Sequence, residues 1–342
     1  STFGGRLRFT FDYYRKYIED LLQKEYKLPS SSSFGTVKYS NSGKMENKGW
    51  EFRADIIALR TKDWTTSGYV NFSRNENRIT ELPGNMNQEN YEAKNGTYAA
   101  RVIVGQPIGS FYGYRYLGVY QNTDATYARD AEGQVMNDAN GKPIVMKNLT
   151  ATCQPGDAKY ADLNRDGKID KEDIGIIGNA QPTWSFGFNN TFTIYDFDLN
   201  IFWQGVAGND VYNQNRVRRE VYSSDAFPTN PVIKEHWTQE NETDIPSFSG
   251  TEYVNSSRWV EKGAYLRLKN ITLGYRLPRQ LLSKIGFNAA RIYVSANNLW
   301  TITNYTGYDP EASMGTDATA AGVDRGIYPS AKSFLVGLDI TF

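Results

Sequence analysis

The stretch Ser333-Phe334-Leu335-Val336-Gly337-Leu338-Asp339-Ile340-Thr341-Phe342 decides the fold class. Phe334, Val336, Leu338, Ile340 and Phe342 fall on one side of an extended chain, and Ser333, Leu335, Gly337, Asp339 and Thr341 on the other. A period of two is the signature of a strand whose two faces meet different surroundings.

The pattern recurs upstream. Leu7, Phe9, Phe11 and Tyr13 alternate with Arg8, Thr10, Asp12 and Tyr14; Trp50, Phe52, Ala54 and Ile56 alternate with Glu51, Arg53 and Asp55. Three ionisable groups on one face exclude a sandwich core behind it, because burying unpaired charge costs more than strand pairing returns. Trp64 to Ser73, Trp184 to Phe192, Leu199 to Gln204 and Arg291 to Asn297 repeat the alternation. Between Tyr265 and Tyr275 the parity breaks: Leu266 and Leu268 share one phase, Ile271, Leu273 and Tyr275 the other. A bulge near Lys269-Asn270 restores a single apolar face, since one extra residue flips the register.

Composition agrees. Of 342 residues 14% are aromatic, with 24 Tyr, 17 Phe and 7 Trp beside 30 Gly, a bias toward strand formers. Lys plus Arg and Asp plus Glu are 38 each, so no basic excess points to a nucleic-acid partner. A single cysteine, Cys153, excludes an internal disulfide. No run approaches the ~20 apolar residues of a membrane helix, but a barrel strand needs only about 9–11 with alternate side chains facing lipid.

These features predict an all-β, transmembrane antiparallel β-barrel with ten strands at roughly 5–18, 46–60, 64–75, 97–105, 109–120, 182–193, 198–207, 263–277, 287–299 and 332–342. Tight links at 61–63, 106–108, 194–197 and 278–286 alternate with long ones at 20–45, 76–96, 121–181, 208–262 and 300–331. Outer-membrane barrels have short periplasmic turns and long outer loops, which places both ends of the chain in the periplasm. Trp50, Trp64, Trp184 and Tyr13, near strand ends, suit an interfacial aromatic girdle.

Within the longest loop, Asp162-Leu163-Asn164-Arg165-Asp166-Gly167-Lys168-Ile169-Asp170-Lys171-Glu172-Asp173 sets oxygen donors in a calcium-loop order. Asp162, Asn164, Asp166, Asp170 and Asp173 occupy positions 1, 3, 5, 9 and 12, the carbonyl of Lys168 serves at 7, and Gly167 allows the turn at 6. Asp173 replaces the usual Glu and is one methylene shorter. The readings are a structural Ca²⁺ that staples the loop or a metal-free Asx/Gly turn.

Catalytic chemistry has no foothold. His236 is the only histidine, and with one cysteine beside it the chain lacks the ligands of a zinc site and the partners of a triad. The chain therefore reads as a non-enzyme whose function resides in loops, rim and lumen. Tyr212, Trp237, Tyr253, Trp259, Trp300, Tyr305 and Tyr308 lie in or beside long loops, where such rings either contact a glycan or peptide, pack the loops, or meet another subunit.

Taken together, Gly43-Lys44-Met45-Glu46-Asn47-Lys48-Gly49-Trp50-Glu51, Val104 to Tyr114, the Asp162–Asp173 loop with Ile177 to Pro182, Phe202-Trp203-Gln204-Gly205 with Gly208-Asn209-Asp210, Tyr265 to Asn270, and Asn297-Asn298-Leu299 resemble the SusC/RagA family of TonB-dependent outer-membrane transporters. The resemblance covers essentially the whole chain and implies the C-terminal portion of a 22-stranded barrel, with the N-terminal plug and remaining strands lying outside it. It further implies outer-membrane lipid around the wall, a SusD-like surface lipoprotein over the mouth, energy from TonB-ExbB-ExbD through the plug, oligosaccharides or peptides as cargo, and a host among the Bacteroidota. Loops 121–181 and 208–262 are the candidates for the lid contact. The rival reading is a passive porin formed by this chain alone.

Overall fold

Main-chain N–H and C=O groups surrounded by lipid have to be satisfied by neighbouring strands, because lipid offers no donors or acceptors. The computed structural model describes residues 5–20, 22–27, 36–41, 43–82, 103–149, 151–220, 235–248, 254–311 and 321–342. Eight segments pair there in sequence order as one antiparallel sheet: β1 (Leu7–Ile18), β2 (Lys44–Arg60), β3 (Trp64–Glu81), β4 (Trp184–Ile194), β5 (Phe197–Ala207), β6 (Tyr265–Arg276), β7 (Ala289–Thr303) and β8 (Ser333–Thr341). Among the described residues β1 and β8 do not pair with each other, so the sheet is an open wall with two free edges.

The registers carry the alternation across the wall. One row runs Phe11–Phe52–Phe72–Phe186–Gly205, another Phe192–Leu199–Leu273–Val294–Val336. Gly205 leaves room for the Phe186 ring, since a Cβ there would lie 2.5 Å from it. Phe9 stacks on Phe52 and Phe11 on Trp50, with ring centroids 6.0 and 6.3 Å apart. Even so, Phe334 and Val336 remain 71% and 74% exposed, on a face that no other part of the described chain covers. So broad an apolar surface is expected of a lipid-facing wall and not of a water-soluble sheet.

From Trp184 to Ile194 the outward face spans ten residue steps of β4. At ~3.3 Å per residue and a tilt of roughly 40° that gives a band of about 25 Å, the height of a barrel's lipid belt. Trp50 and Trp184 meet edge to face at one rim, and Trp64, Phe197 and Tyr275 mark the other.

The bulge falls where parity requires it. Phe202 faces Asn270 while the next residue, Trp203, faces Leu268, leaving Lys269 unpaired, and β7 accommodates the slip with Asn298 at φ 52°. Leu266 and Leu268 thereby share the outward face with Ile271, Leu273 and Tyr275.

Among the described residues the wall has eight strands where the sequence suggested ten. Segment 109–120 does not cross: Ser110–Gly113 pairs with Gly175–Asn179, and Tyr116–Val119 with Ala158–Tyr160, outside the wall. All four residues of Ser110–Gly113 are buried, so its Tyr/Phe/Gly alternation faces protein on both sides, and four residues are too few to span. The 97–105 segment lies mostly outside the described residues; its end, Val104-Gly105, is a turn tied to β3 by Gly105 N–H donating to the Ile79 carbonyl at 2.7 Å. Between the eight described wall strands long and tight links still alternate. The described residues 103–149, 151–183, 208–220, 235–248, 254–264, 304–311 and 321–332 cluster at one rim with the Leu22–Lys27/Thr36–Asn41 hairpin, while 61–63, 195–196 and 277–288 close the other.

A lysine on the lipid face near mid-height should cost far more than one on the wet face. In urea titrations of the vesicle-embedded full-length protein, Val70→Lys is expected to lose about 2–4 kcal/mol and Asn71→Lys under ~1 kcal/mol; equal losses would contradict the face assignment.

Candidate functional site: the loop body over the polar wall

The inward face of the wall is hydrophilic and internally bonded. Asn189, Thr191 and Asn200 form one side-chain network across β4 and β5, and Asn270, Thr272, Ser295, Asn297 and Ser333 form another across β6, β7 and β8. Nearer the tight-turn rim, Arg291 donates to both oxygens of Asp198 at 2.9 and 2.6 Å and reaches Asp339. Satisfied amides and paired charges suit a surface exposed to water or to a polar filling.

The long loops above this face build a body with its own apolar cores. Phe111, Ala180, Tyr212, Val217, Trp259 and Val323 form one cluster; Tyr114, Tyr120, Ala128, Met146, Cys153, Ala158, Tyr160 and Ile169 form a second. Three loops therefore share packing: the first core joins Phe111 and Ala180, Tyr212, Val217 and Trp259, and Val323. Buried charge is neutralised locally. Glu220 accepts from Arg216 at 2.6 Å and Arg258 at 3.0 Å, while Glu261 accepts from Asn213 and Thr306.

A buried cluster ties this body to the wall at β6, beside the Gly105 and Ile108 links to β3. Arg267 of β6, 3% exposed and on the inward face, donates to Thr301 Oγ1 at 2.8 Å, Ser330 Oγ at 2.9 Å and Asp309 Oδ1 at 2.6 Å, and also pairs with Glu311. Asp309 in turn accepts the Ser330 and Glu311 N–H groups at 2.8 and 2.9 Å. Burial pushes the Asp309 carboxyl upward, but Arg267 and the two N–H groups outweigh it and hold the pKa down to about 2. Tyr265 and Lys269 complete the cluster on Glu311. Asp309, Glu311 and Ser330 are thereby drawn inward over the polar wall.

The calcium-order loop folds as a sequence of Asx turns. Asp162 accepts the Gly167 N–H at 2.9 Å, Asp166 that of Lys168 at 2.9 Å, and Asn164 that of Asp166 at 3.2 Å, with positive φ at Arg165 and Gly167. Asp170 caps the Lys171–Asp173 turn, and buried Asp173 accepts from Leu163 and Asp170 at 2.7 and 2.9 Å. Desolvation pushes the Asp173 carboxyl above its ordinary pKa. Among the described residues no three His, Cys, Asp or Glu side chains converge as a preformed metal cage; the loop's carboxylates are turned onto main-chain donors.

The aromatic candidates separate by burial. Tyr212, Trp237, Trp259 and Tyr305 are buried and pack the loop body, one of the roles the sequence leaves open for them. Trp237 donates to Gln121 Oε1, Trp259 to the Val254 carbonyl and Tyr305 to Asp324 Oδ2, so each polar edge is already engaged. Trp300 is exposed on the outward face, edge to face with Trp203, and belongs to the lipid side. Tyr308, 72% exposed, alone keeps a free ring face above the wall among those described, and Tyr253 lies outside the described residues. His236 packs against Phe248 in the loop body, ring centroids 4.1 Å apart. The Arg267 cluster was not visible as a site in the sequence: its partners are 42 and 44 residues away, and the sole local hint is an arginine among leucines beside the bulge.

No protein-family model matches the chain. It is 35% identical over its full length to TonB-dependent receptor P3 of Formosa agariphila, covering 33% of that receptor, and 27% identical over 99% of its length to TonB-dependent receptor SusC of Bacteroides thetaiotaomicron, covering 30%. The solved RagAB peptide transporter shares its fold, with a TM-score of 0.75 at 24% identity over 99% of this chain and 34% of that one. The chain thus spans about a third of the length of the curated relatives it matches.

Breaking the Arg267 tie should free the last loop. Arg267→Met leaves the buried Asp309 carboxylate without its cation, while Glu311 keeps Lys269, and is expected to cost about 3–5 kcal/mol of local stability, measured as faster amide exchange across 304–311. Because the Asp309 pKa is lowered on folding, its contribution is full above the ordinary carboxylate range and disappears as pH falls through about 2. Exchange in the native chain should therefore be flat from pH 7 to 5, after correction for intrinsic rates, and rise only in strong acid.

Proposed function

Starting from a chain that is SusC/RagA-like in sequence and fold from end to end, we propose that it forms part of the wall and mouth of a TonB-dependent outer-membrane importer. The observation that carries this reading is the open eight-stranded wall, lipid-facing on one side and hydrogen-bonded on the other, matched over its full length to a third of a larger receptor. Its free edges, β1 and β8, call for further strands of the same barrel, since a long unpaired edge in lipid leaves a row of unsatisfied groups. The same edges weigh against a self-closed porin.

In this reading the long-loop rim faces outward and the tight turns and both ends of the segment face the periplasm. A plug fills the polar lumen and couples to TonB-ExbB-ExbD, and a SusD-like surface lipoprotein meets the loop body. Cargo, an oligosaccharide or a peptide, passes between lipoprotein and loops and then through the lumen; the packed cores and the Arg267 tie keep the mouth in one shape while it does so. The named relatives are receptors and transporters, and the chain's part is mechanical and recognitional.

Energised uptake separates the readings. Cells whose receptor gene is deleted should stop importing the cargo, recover with the full-length receptor, and stop again when the proton gradient is dissipated; uptake that survives dissipation would point to passive diffusion.

The Asp162–Asp173 loop is a structural Ca²⁺ staple in the same reading. Its donor order and the left-handed turn at Gly167 support this, and modest side-chain rotation would exchange main-chain donors for the ion at Asp162, Asn164, Asp166, Asp170 and Asp173, with the Lys168 carbonyl. Full-length protein should melt at higher temperature in millimolar Ca²⁺ than in chelator, and the double change Asp162→Asn, Asp166→Asn should abolish the difference. An equal shift with both carboxylates removed would refute it.

A further inference from the structure

The two rims of the lipid-facing surface differ in charge. At the tight-turn rim the outward row reads Trp64, Ile194, Phe197, Tyr275, Ile292 and Leu338, without a charged group. At the long-loop rim the outward row is Tyr13, Trp50, Arg74 and Trp184; the next is Arg15, Lys48 and Glu76; the next is Tyr17, Glu46 and Arg78. Four cations stand against two carboxylates on an aromatic shelf directly above the apolar band.

The geometry is that of a phosphate site with room for acyl chains below it. The Arg74 guanidinium lies 5.3 Å from the Trp184 ring centre and Arg15 lies 4.9 Å from that of Tyr17, so both stems run along ring faces while their heads stay at the rim. Arg15 pairs with Glu46, Arg74 with Glu76, and Lys48 with Glu76 at 3.3 Å, which holds the cations in place and leaves the cluster two charges positive. Arg74 Nε is shielded from water and makes no hydrogen bond among the described residues. Arg15 and Lys48 side chains are each 53% exposed, available to an approaching anion. Planar guanidinium forks beside an apolar face match a phosphate carried on acyl chains better than a soluble phosphate, which would gain nothing from Tyr13, Trp50 and Trp184.

We propose that the outward long-loop rim of β1, β2, β3 and β4, through Arg15, Lys48, Arg74 and Arg78 above Tyr13, Trp50 and Trp184, binds the phosphorylated headgroup of an acylated lipid of the outer leaflet. The site rests on the outer-membrane reading above and adds to it a lipid that fixes the height and tilt of this part of the wall. Its position explains the charge asymmetry: only the rim toward the long loops meets a leaflet rich in phosphorylated glycolipid.

The test uses full-length receptor, delipidated in detergent and offered bis-phosphorylated hexa-acyl lipid A or the same lipid with both phosphates removed, with retained lipid counted by native mass spectrometry. Retention of the phosphorylated form should exceed the other about tenfold or more, given three or four basic groups at the surface. The triple change Arg15→Gln, Arg74→Gln, Arg78→Gln should abolish the preference, and the corresponding Arg→Lys triple should keep most of it. Equal retention of the two lipids, or an undiminished preference in the Gln triple, would overturn the site. Heat-modifiable gel migration reports barrel formation separately, and Arg74→Gln alone replaces the triple should that variant fail to form a barrel. A native receptor that never forms a barrel would overturn both this site and the importer reading, whereas a barrel without phosphate preference overturns the site alone.

Discussion

A strand in lipid has nowhere but its neighbours to place its main-chain hydrogen bonds, and every level of this structure follows from that restriction. It forces the eight wall segments into one continuous ladder and ties side-chain parity to register, because a one-residue slip would turn asparagines and charged groups toward hydrocarbon. The ladder slips in β2 between Ile57 and Leu59 and, where parity fails in β6 around Lys269, on both sides of that strand. The bulge is thus a correction of register, and it has a second effect: it sets Arg267 and Lys269 close enough to converge on Glu311.

The apolar core of the chain sits in its loops and not in its membrane wall. In the wall, apolar side chains face lipid, and association between strands rests on the hydrogen-bond ladder and on polar networks such as Asn270–Ser295–Thr272. In water the ordinary hydrophobic drive returns, and the long connections exploit it by packing Phe111, Tyr212, Trp259 and Val323 together across three loops. Loops of such length would be costly to order one at a time; shared cores order them jointly. Arg267 then joins the water-driven part to the lipid-driven part through one buried guanidinium.

The wall was legible in the sequence because lipid and water impose a strict two-residue period, and Phe334 to Phe342 or Trp50 to Ile56 carry it without interruption. Segment 109–120 misled for a physical reason: a short strand buried between protein layers also alternates rings with small residues, and only its length and its partner at Gly175–Asn179 reveal the difference. The buried Tyr212, Trp237, Trp259 and Tyr305 were ambiguous for a related reason, since a ring that packs a loop core and a ring that grips a ligand are the same residue in sequence. The Arg267–Asp309–Glu311 cluster could not be read at all, because its members meet only after a loop folds back over the wall.

That fold-back bears on how a mouth of this kind can work. A loop held only by its two strand ends could sample many positions over the lumen, and each would present a different entrance. Here the loop after β7 is fixed at Asp309, Glu311 and Ser330 by a side chain that is itself locked by the sheet, so its position is inherited from the wall. The exposed ring of Tyr308 is one residue from that anchor. Any contact it makes with cargo or with a covering partner is therefore made at a height set by β6, and a displacement felt at Tyr308 is transmitted to a rigid strand and not dissipated in a slack loop.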